Sequence, residues 1–134
     1  MPLQLRSTVC KEGHLELSLT EVDIPKPGED DVVIRVEASP INPSDLGLLF
    51  GMADMGTATL SGTGSGTVLT ATIPEAMMRQ MSARIDQSLP VGNEGAGVVV
   101  SAGPSERAQS LMGKTVATLG GSMYAQYRMT RADQ

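Results

Sequence analysis

Aromatic side chains are almost missing from this chain of 134 residues, which has no tryptophan, one phenylalanine and two tyrosines. A hydrophobic core must therefore be filled by aliphatic side chains and by some of the nine methionines, whose flexible thioethers adapt to irregular gaps. The single cysteine, Cys10, excludes an internal disulfide and a cysteine-rich zinc site. Such sparing use of cysteine is typical of a reducing compartment.

Charge and hydropathy exclude two further classes of partner. Fifteen acidic and ten basic residues give a net charge of -5, whereas a protein that binds a nucleic-acid backbone needs clustered lysines and arginines. No apolar run is long enough to span a membrane, and the N-terminus lacks the profile of a signal peptide. We therefore expect a soluble cytoplasmic chain that binds neither nucleic acid nor membrane. Its length predicts one domain with its own core.

A glycine-rich run over residues 90–97, PVGNEGAG, stands directly before three valines. A dinucleotide-binding loop has the opposite order, because it follows a strand and opens a helix. The run therefore predicts a glycine-rich entry into a buried strand, where small residues allow close approach of the backbone.

Alternating apolar and polar residues predict that most of the chain is extended. Leu15, Leu17 and Leu19 alternate with polar residues, as in a half-buried strand. Similar patterns predict strands over residues 4–9, 15–22, 32–38, 95–102, 114–119 and 123–129, the first two joined in a hairpin. The pair Asn42-Pro43 is typical of a helix start, with Asn42 as the N-cap, and predicts a short helix through Leu49.

Residues 52–72 are rich in glycine, serine and threonine. The spacing of Gly62, Gly64 and Gly66 suggests phosphate binding, but no lysine follows them and no apolar strand precedes them. We therefore expect a mobile loop.

Residues 72–75 predict a capping box, followed by an amphipathic helix in which Met77, Met81 and Ile85 recur every four residues. The methionine stripe either lines a ligand cavity or, as is more frequent, packs against the core.

Three segments in order, residues 32–45, 90–100 and 113–117, resemble the N-terminal domain of medium-chain dehydrogenases/reductases, and especially the zinc-independent quinone oxidoreductases. The resemblance covers residues 1–134 except for about residues 52–89, which are longer and richer in glycine and methionine than the usual linker. It implies a mainly β (α+β) fold, a GroES-like, partly open β-barrel with one or two short helices. Short strands separated by glycine and proline are compatible with such a barrel.

Two asparagines bear on the chemistry that this resemblance implies. Zinc-dependent members of the family have cysteine at the position of Asn42 and histidine at that of Asn93, and carboxamides are poor zinc ligands. Cys10 and His14 offer only two ligands at the first hairpin, and two ligands do not make a tetrahedral site. We therefore expect no metal site and no zinc.

The resemblance implies hydride transfer from NADPH or NADH to a quinone or to an activated double bond such as that of an enone. Asn42 would lie beside the nicotinamide and the substrate, and simple N-capping explains this residue equally well. Asp45, one helical turn later, would orient Asn42 or the adjoining loop. Asn42 and Asp45 are therefore the catalytic candidates.

Four further residues are candidates for the cleft. Asn93 and Glu94, with Asn42, are the candidate cofactor contacts, although a carboxylate such as Glu94 is more often satisfied by turn amides or an arginine. Tyr124 and Tyr127 match an aromatic strand motif of the family. Both are first of all packing residues, and their hydroxyls are candidates for the substrate cleft.

Members of this family continue for about two hundred further residues that hold a Rossmann cofactor domain, a usual domain size. No strand followed by Gly-x-Gly-x-x-Gly occurs here. We therefore expect a truncated chain that by itself binds no cofactor tightly, turns over no substrate, and self-associates through the apolar face left exposed. The alternative is a GroES-like binding or assembly module with residues 52–72 as its contact loop.

Overall fold

The computed structural model describes all 134 residues, of which 46% are in strands and 19% in short helices. In chain order the strands are β1 (Leu3–Cys10), β2 (His14–Glu21), β3 (Asp31–Ala38), β4 (Asp54–Ser61), β5 (Val68–Thr72), β6 (Ser88–Pro90), β7 (Glu94–Ala102), β8 (Thr115–Leu119) and β9 (Tyr127–Arg131). The α-helices are α1 (Pro43–Leu49), α2 (Glu75–Met78) and α3 (Glu106–Ser110), and 3₁₀ turns cover Gly64–Gly66 and Arg79–Arg84. The strands form two antiparallel sheets without a closed barrel, which confirms the predicted mainly β, partly open fold. None of the helices has the length and apolar character needed to cross a bilayer.

The chain divides into two compact units, each made of segments that are distant in sequence. The first unit contains residues 1–4, 21–40 and 92–134, and the second contains residues 5–20 and 41–91. That residues 1–134 act as one substrate-side domain stays a prediction.

The core of the first unit lies against a four-stranded sheet with the strand order β8-β7-β3-β9. Val32 and Ile34 of β3, Val99 of β7 and Ala108 of α3 form a buried cluster. The Ser105 hydroxyl caps α3 by accepting a hydrogen bond from the Ala108 backbone N–H at 3.1 Å. This short helix was not predicted, although a serine N-cap is the usual signal for one.

The second unit is built on a five-stranded sheet with the strand order β4-β5-β2-β1-β6. Leu15 and Leu17 of β2 are buried and Glu16 between them is half-buried, which confirms the predicted alternation for this part of the strand. Leu19 is 40% exposed, so the predicted buried face does not extend to it. The buried apolar residues of both units include no aromatic side chain, and Met81 and Met123 are among them. The prediction of a core filled by aliphatic and methionine side chains is therefore confirmed.

The prediction of a mobile loop over residues 52–72 is wrong. Strands β4 and β5 form an antiparallel hairpin in which Leu60 pairs with Leu69, and β5 also pairs with β2. Gly62 has a φ of +78 in the connection, and an added Cβ would lie 2.4 Å from the Gly66 carbonyl oxygen. The glycines therefore make a tight turn, and pairing with a distant strand supplies the order that the local composition does not indicate.

The helix predicted after residue 72 is shorter than expected. Thr72 ends β5, and Pro74 is the N-cap of α2 without any side-chain hydrogen bond, so the predicted capping box is wrong. After four residues the helix tightens into the 3₁₀ turn that carries Met81. Met81 is buried and lies against Gly51, which favours packing over a cavity lining for this side chain.

Two further predictions concern the residues at which α1 and β9 begin. Helix α1 begins at Pro43 with Asn42 as its N-cap and runs through Leu49, as predicted. The strand predicted over residues 123–129 begins only at Tyr127. Ser122 before it has a φ of 67, so the chain turns there instead of continuing as a strand.

Candidate active site

An open groove of about 1110 Å³ lies in the first unit where β3 ends, β7 begins and β8 ends. Its walls consist mainly of small and apolar residues: Ala38, Ser39, Pro40, Glu94, Gly95, Ala96, Ala117, Thr118, Leu119, Gly120 and Gln134. The Leu119 side chain is 72% exposed. The groove is therefore a largely apolar surface that water covers in the isolated chain.

Glycines of the run at 90–97 let the backbone approach its neighbours at this groove. Gly92 has a φ of +99, and an added Cβ there would lie 2.6 Å from the Tyr124 backbone nitrogen. At Gly95 an added Cβ would lie 2.8 Å from Ser39 Oγ, whose hydroxyl donates to the Met123 carbonyl at 3.0 Å. Strand β7 follows with Gly95 and Val99 buried and Val100 exposed. The predicted glycine-rich entry into a strand is therefore confirmed, and the strand is buried on one face only.

Asn93 and Glu94 lie side by side at the start of β7. Glu94 is half-buried, lines the groove and faces Leu119 in the pairing of β7 with β8. Asn93 is exposed, and its backbone carbonyl accepts a hydrogen bond from the Gly120 N–H at 2.9 Å. The structure therefore places these two of the three candidates for cofactor contact at the groove or directly beside it.

The two tyrosines have different surroundings. The Tyr124 hydroxyl donates to the carbonyl oxygen of Pro40, a residue of the groove wall, at 2.8 Å. Tyr127 pairs with Arg35 at the start of β9 and lines a separate cavity of about 450 Å³. Tyr124 therefore lies next to the groove, and Tyr127 does not line it.

Asn42 and Asp45 meet at the N-terminus of helix α1 in the second unit. The Asp45 carboxylate accepts a hydrogen bond from the Asn42 backbone N–H at 2.8 Å through Oδ2. Asp45 is only 2% exposed, and its Oδ1 accepts no hydrogen bond from the protein. A carboxylate so deeply buried holds the backbone of Asn42 and offers no surface to a substrate, so its geometry fits a positioning residue.

The other end of α1 is held by a residue that the sequence analysis missed. The Arg84 guanidinium donates to the carbonyl oxygens of Gly47 (3.1 Å) and Leu48 (2.9 Å) and to the Ser7 hydroxyl (3.2 Å). Burial lowers the pKa of Arg84 from its ordinary value, yet an arginine stays charged in proteins. A cation at the C-terminal end satisfies carbonyls that have no partner within the helix.

The side chains that could ligate a metal converge at the β1–β2 hairpin. Cys10, His14 and Glu16 each offer a ligand atom, and these three atoms lie within 4.8 Å of one another. Cys10 and His14 were considered as ligands from the sequence, and Glu16 was not. The two-residue period of a strand, which puts His14 and Glu16 on one face, was the signal that could have found it.

No protein-family model matches the chain, and no curated protein matches it. Among solved structures, it is similar over 98% of its length to an enoyl reductase, JamJ, with 19% identity and a TM-score of 0.59. It is also similar over 98% of its length to a Mesorhizobium loti protein assigned as an NADPH:quinone reductase (23% identity, TM-score 0.52) and to a mycobacterial protein in complex with NADPH (17% identity, TM-score 0.54).

The chain spans about a third of each of these proteins: 33% of the enoyl reductase, 34% of the Mesorhizobium loti protein and 32% of the mycobacterial one. At these identities the likeness establishes the fold. It confirms the predicted resemblance at that level, and the chain has the fold of about one third of the quinone reductase and enoyl reductase chains.

Proposed function

We propose that this chain is the substrate-side domain of an NAD(P)H-dependent, zinc-independent oxidoreductase that reduces quinones or activated double bonds. The observation that carries the proposal is the match of nearly the whole chain to one third of two reductase structures and of a third structure that contains NADPH. Fold alone does not determine function, so a second line of support is needed. The three sequence segments that resemble the family occur in the same order as in the family, and they support the proposal independently of the fold. The remaining two thirds of such an enzyme would hold the nicotinamide cofactor.

The groove supports this role through its size and its walls. Small-molecule sites usually have volumes of about 300–1,000 Å³ and mostly apolar linings, and the groove of about 1110 Å³ leaves room for a ring-shaped substrate beside a nicotinamide. Gly95, Ala96 and Ala117 present no bulky side chain to a planar ring. The cofactor would supply the hydride, while these residues would position the acceptor and exclude water from it.

The two asparagines support the zinc-independent part of the proposal. Asn42 and Asn93 carry amides where the zinc-dependent branch has a thiolate and an imidazole, and an amide N–H donates a hydrogen bond but provides a poor metal ligand. Polarisation of a substrate carbonyl would therefore come from hydrogen bonds. The assembly-module alternative depended on a mobile loop at residues 52–72, and this segment is a β-hairpin.

The isolated chain should bind NADPH more weakly than the micromolar range, because most of the proposed cofactor site would lie in the domain outside these residues. Titration calorimetry of the purified chain with NADPH measures this directly. Micromolar binding to the isolated chain would contradict the proposed division of the site between two domains.

Activity should appear when the chain is joined to a cofactor-binding domain. We expect a hybrid of residues 1–134 and the remaining two thirds of the Mesorhizobium loti protein to oxidise NADPH when benzoquinone or an enone is added. The matched control is the same hybrid with Leu119→Glu, which places a charge in the groove and should slow turnover. A folded hybrid that binds NADPH but reduces neither acceptor would overturn the proposed function.

The isolated chain should also self-associate through the groove, because the exposed Leu119 is left without its proposed cover. Sedimentation velocity over a range of concentrations should show a concentration-dependent increase in mass, which Leu119→Gln reduces. Leu60→Gln is the matched control, since Leu60 is 70% exposed on β4 in the other unit. Equal effects of the two substitutions, or a monomer at every concentration, would show that the groove is not the contact.

A further inference from the structure

The β1–β2 hairpin brings together the only cysteine and the only histidine of the chain. Cys10 ends β1 and His14 begins β2. In the connection the Gly13 N–H donates to the Cys10 carbonyl at 3.0 Å, and Gly13 has a φ of +100. A glycine with positive φ at the end of a three-residue connection is a common and well-defined hairpin turn. The backbone therefore holds Cys10 and His14 at adjoining strand ends.

Glu16 provides the third potential metal ligand, so that the set contains one sulfur, one nitrogen and one oxygen atom. It lies two residues after His14 on the same face of β2, and its Oε1 is 3.2 Å from His14 Nε2. The Cys10 Sγ lies with these two atoms inside a 4.8 Å limit. In a tetrahedral zinc site with bonds of about 2.0–2.3 Å, neighbouring ligand atoms are roughly 3.3–3.8 Å apart. All three side chains are only half-buried, so closing the remaining distance would not require a rearrangement of the core.

The charges around Cys10 favour a cation and oppose a reactive thiolate. The carboxylates of Glu16, Glu12 and Asp86 lie close enough to the Cys10 thiol to act on it electrostatically. Asp86 is held beside the turn because its Oδ1 accepts a hydrogen bond from the Lys11 backbone N–H at 3.2 Å. Nucleophilic cysteines have electropositive surroundings, whereas these surroundings attract a divalent cation.

We propose that Cys10, His14 and Glu16 bind one zinc ion, with water as the fourth ligand. Zinc accepts sulfur, nitrogen and oxygen ligands in tetrahedral sites, whereas magnesium and calcium require an oxygen-only set. The site does not depend on the proposed oxidoreductase function and lies apart from Asn42 and Asn93 in sequence. It replaces only the part of the expectation of no zinc that concerned this hairpin, where Cys10 and His14 were counted without Glu16; Asn42 and Asn93 remain poor zinc ligands. By joining the ends of β1 and β2, the ion would stabilise the folded hairpin.

The test uses the complete chain after removal of metal with a chelator. Competition with a chromogenic chelator should show one equivalent of zinc bound with micromolar or tighter affinity. Cobalt(II) in place of zinc should give a thiolate-to-cobalt charge-transfer band in the near ultraviolet. Cys10→Ser should abolish that band, and His14→Gln and Glu16→Gln should each weaken zinc binding at least about tenfold.

Glu12→Gln is the matched control, because it removes the same charge from the same hairpin without removing a proposed ligand. It should weaken zinc binding less than about fivefold, as expected for an exposed charge. Circular dichroism of each metal-free variant checks that the fold is retained. The proposal fails if the cobalt band is absent, if Cys10→Ser binds zinc as tightly as the parent, or if Glu12→Gln and Glu16→Gln weaken binding equally.

Discussion

Replacement of Gly97 by alanine should lower the free energy of unfolding by about 1–3 kcal/mol, the usual cost of forcing extra atoms into a packed core. An added Cβ would lie 2.1 Å from the carbonyl oxygen of Arg35 and 2.8 Å from the Ile34 Cγ2 atom. Both atoms belong to β3, which pairs with β7 between Val32 and Ala38 with two register shifts. Because the oxygen is part of the backbone of a paired strand, it cannot move aside without local opening of the sheet.

Urea denaturation of the parent and the variant measures this effect as a shift of the midpoint at constant slope. Gly47→Ala is the matched control, because Gly47 lies in helix α1 and an added Cβ there meets no atom within 4 Å. Alanine is the better helix former, so this control should raise the free energy of unfolding by about 0.5–1 kcal/mol. Equal stability of Gly97→Ala and the parent would contradict the close approach of β7 to β3.

Arg84→Ala should lower the free energy of unfolding by about 2 kcal/mol, since hydrogen bonds to charged groups contribute about 1.5–3 kcal/mol. The substitution removes donors to the carbonyls of Gly47 and Leu48 and to the Ser7 hydroxyl. Two carbonyls near the C-terminal end of α1 then lose their side-chain donor. Asn42 and Asp45, the catalytic candidates, are at the opposite end of the same helix. A less stable α1 would therefore also hold these two residues less firmly.

Thermal unfolding measures the loss of stability, and amide hydrogen exchange locates it in the helix. Arg79→Ala is the control, because Arg79 is an exposed arginine on the same 3₁₀ turn and should change stability by less than about 0.5 kcal/mol. The loss of stability in Arg84→Lys should lie between the losses in Arg84→Ala and Arg79→Ala, because lysine keeps the charge but not the planar group of N–H donors. Unchanged exchange of the α1 amides in Arg84→Ala would show that Arg84 does not hold the helix.

The sequence predicted those helices and strands whose start or pattern is set by residues that are neighbours along the chain. The Asn42-Pro43 pair located the start of α1 because an extended N-cap and a proline at the first helical position are both set by neighbouring residues. The alternation of leucines located β2 for the same reason. Strands β4 and β5 were missed because their glycines and threonines are ordered by pairing with each other and with β2, which no local pattern contains.

The candidate site was predictable to a similar extent. The glycine run pointed to Gly92 and Gly95 as places of close backbone approach, and both lie at the groove or beside it. Leu119 was not identified, because its position opposite Glu94 follows from the register of β7 against β8. Arg84 was missed because its partners are 36 and 37 residues away in sequence. The assignment of Asn42 and Asn93 to a zinc-free site came from family resemblance, and physical patterns alone would not have supplied it.

The strand order of the four-stranded sheet also means that β3 is paired late in folding. Strand β3 lies between β7 and β9, and Asp31 pairs with Arg131 near the far end of the chain. Contacts between such distant residues form only after a large loss of chain entropy, which slows folding. While the ribosome is still making the intervening residues, the apolar segment Val32, Val33 and Ile34 is synthesised but has neither neighbouring strand. An unpaired apolar strand is a site of aggregation, so β3 is prone to aggregate until β7 and β9 have been made.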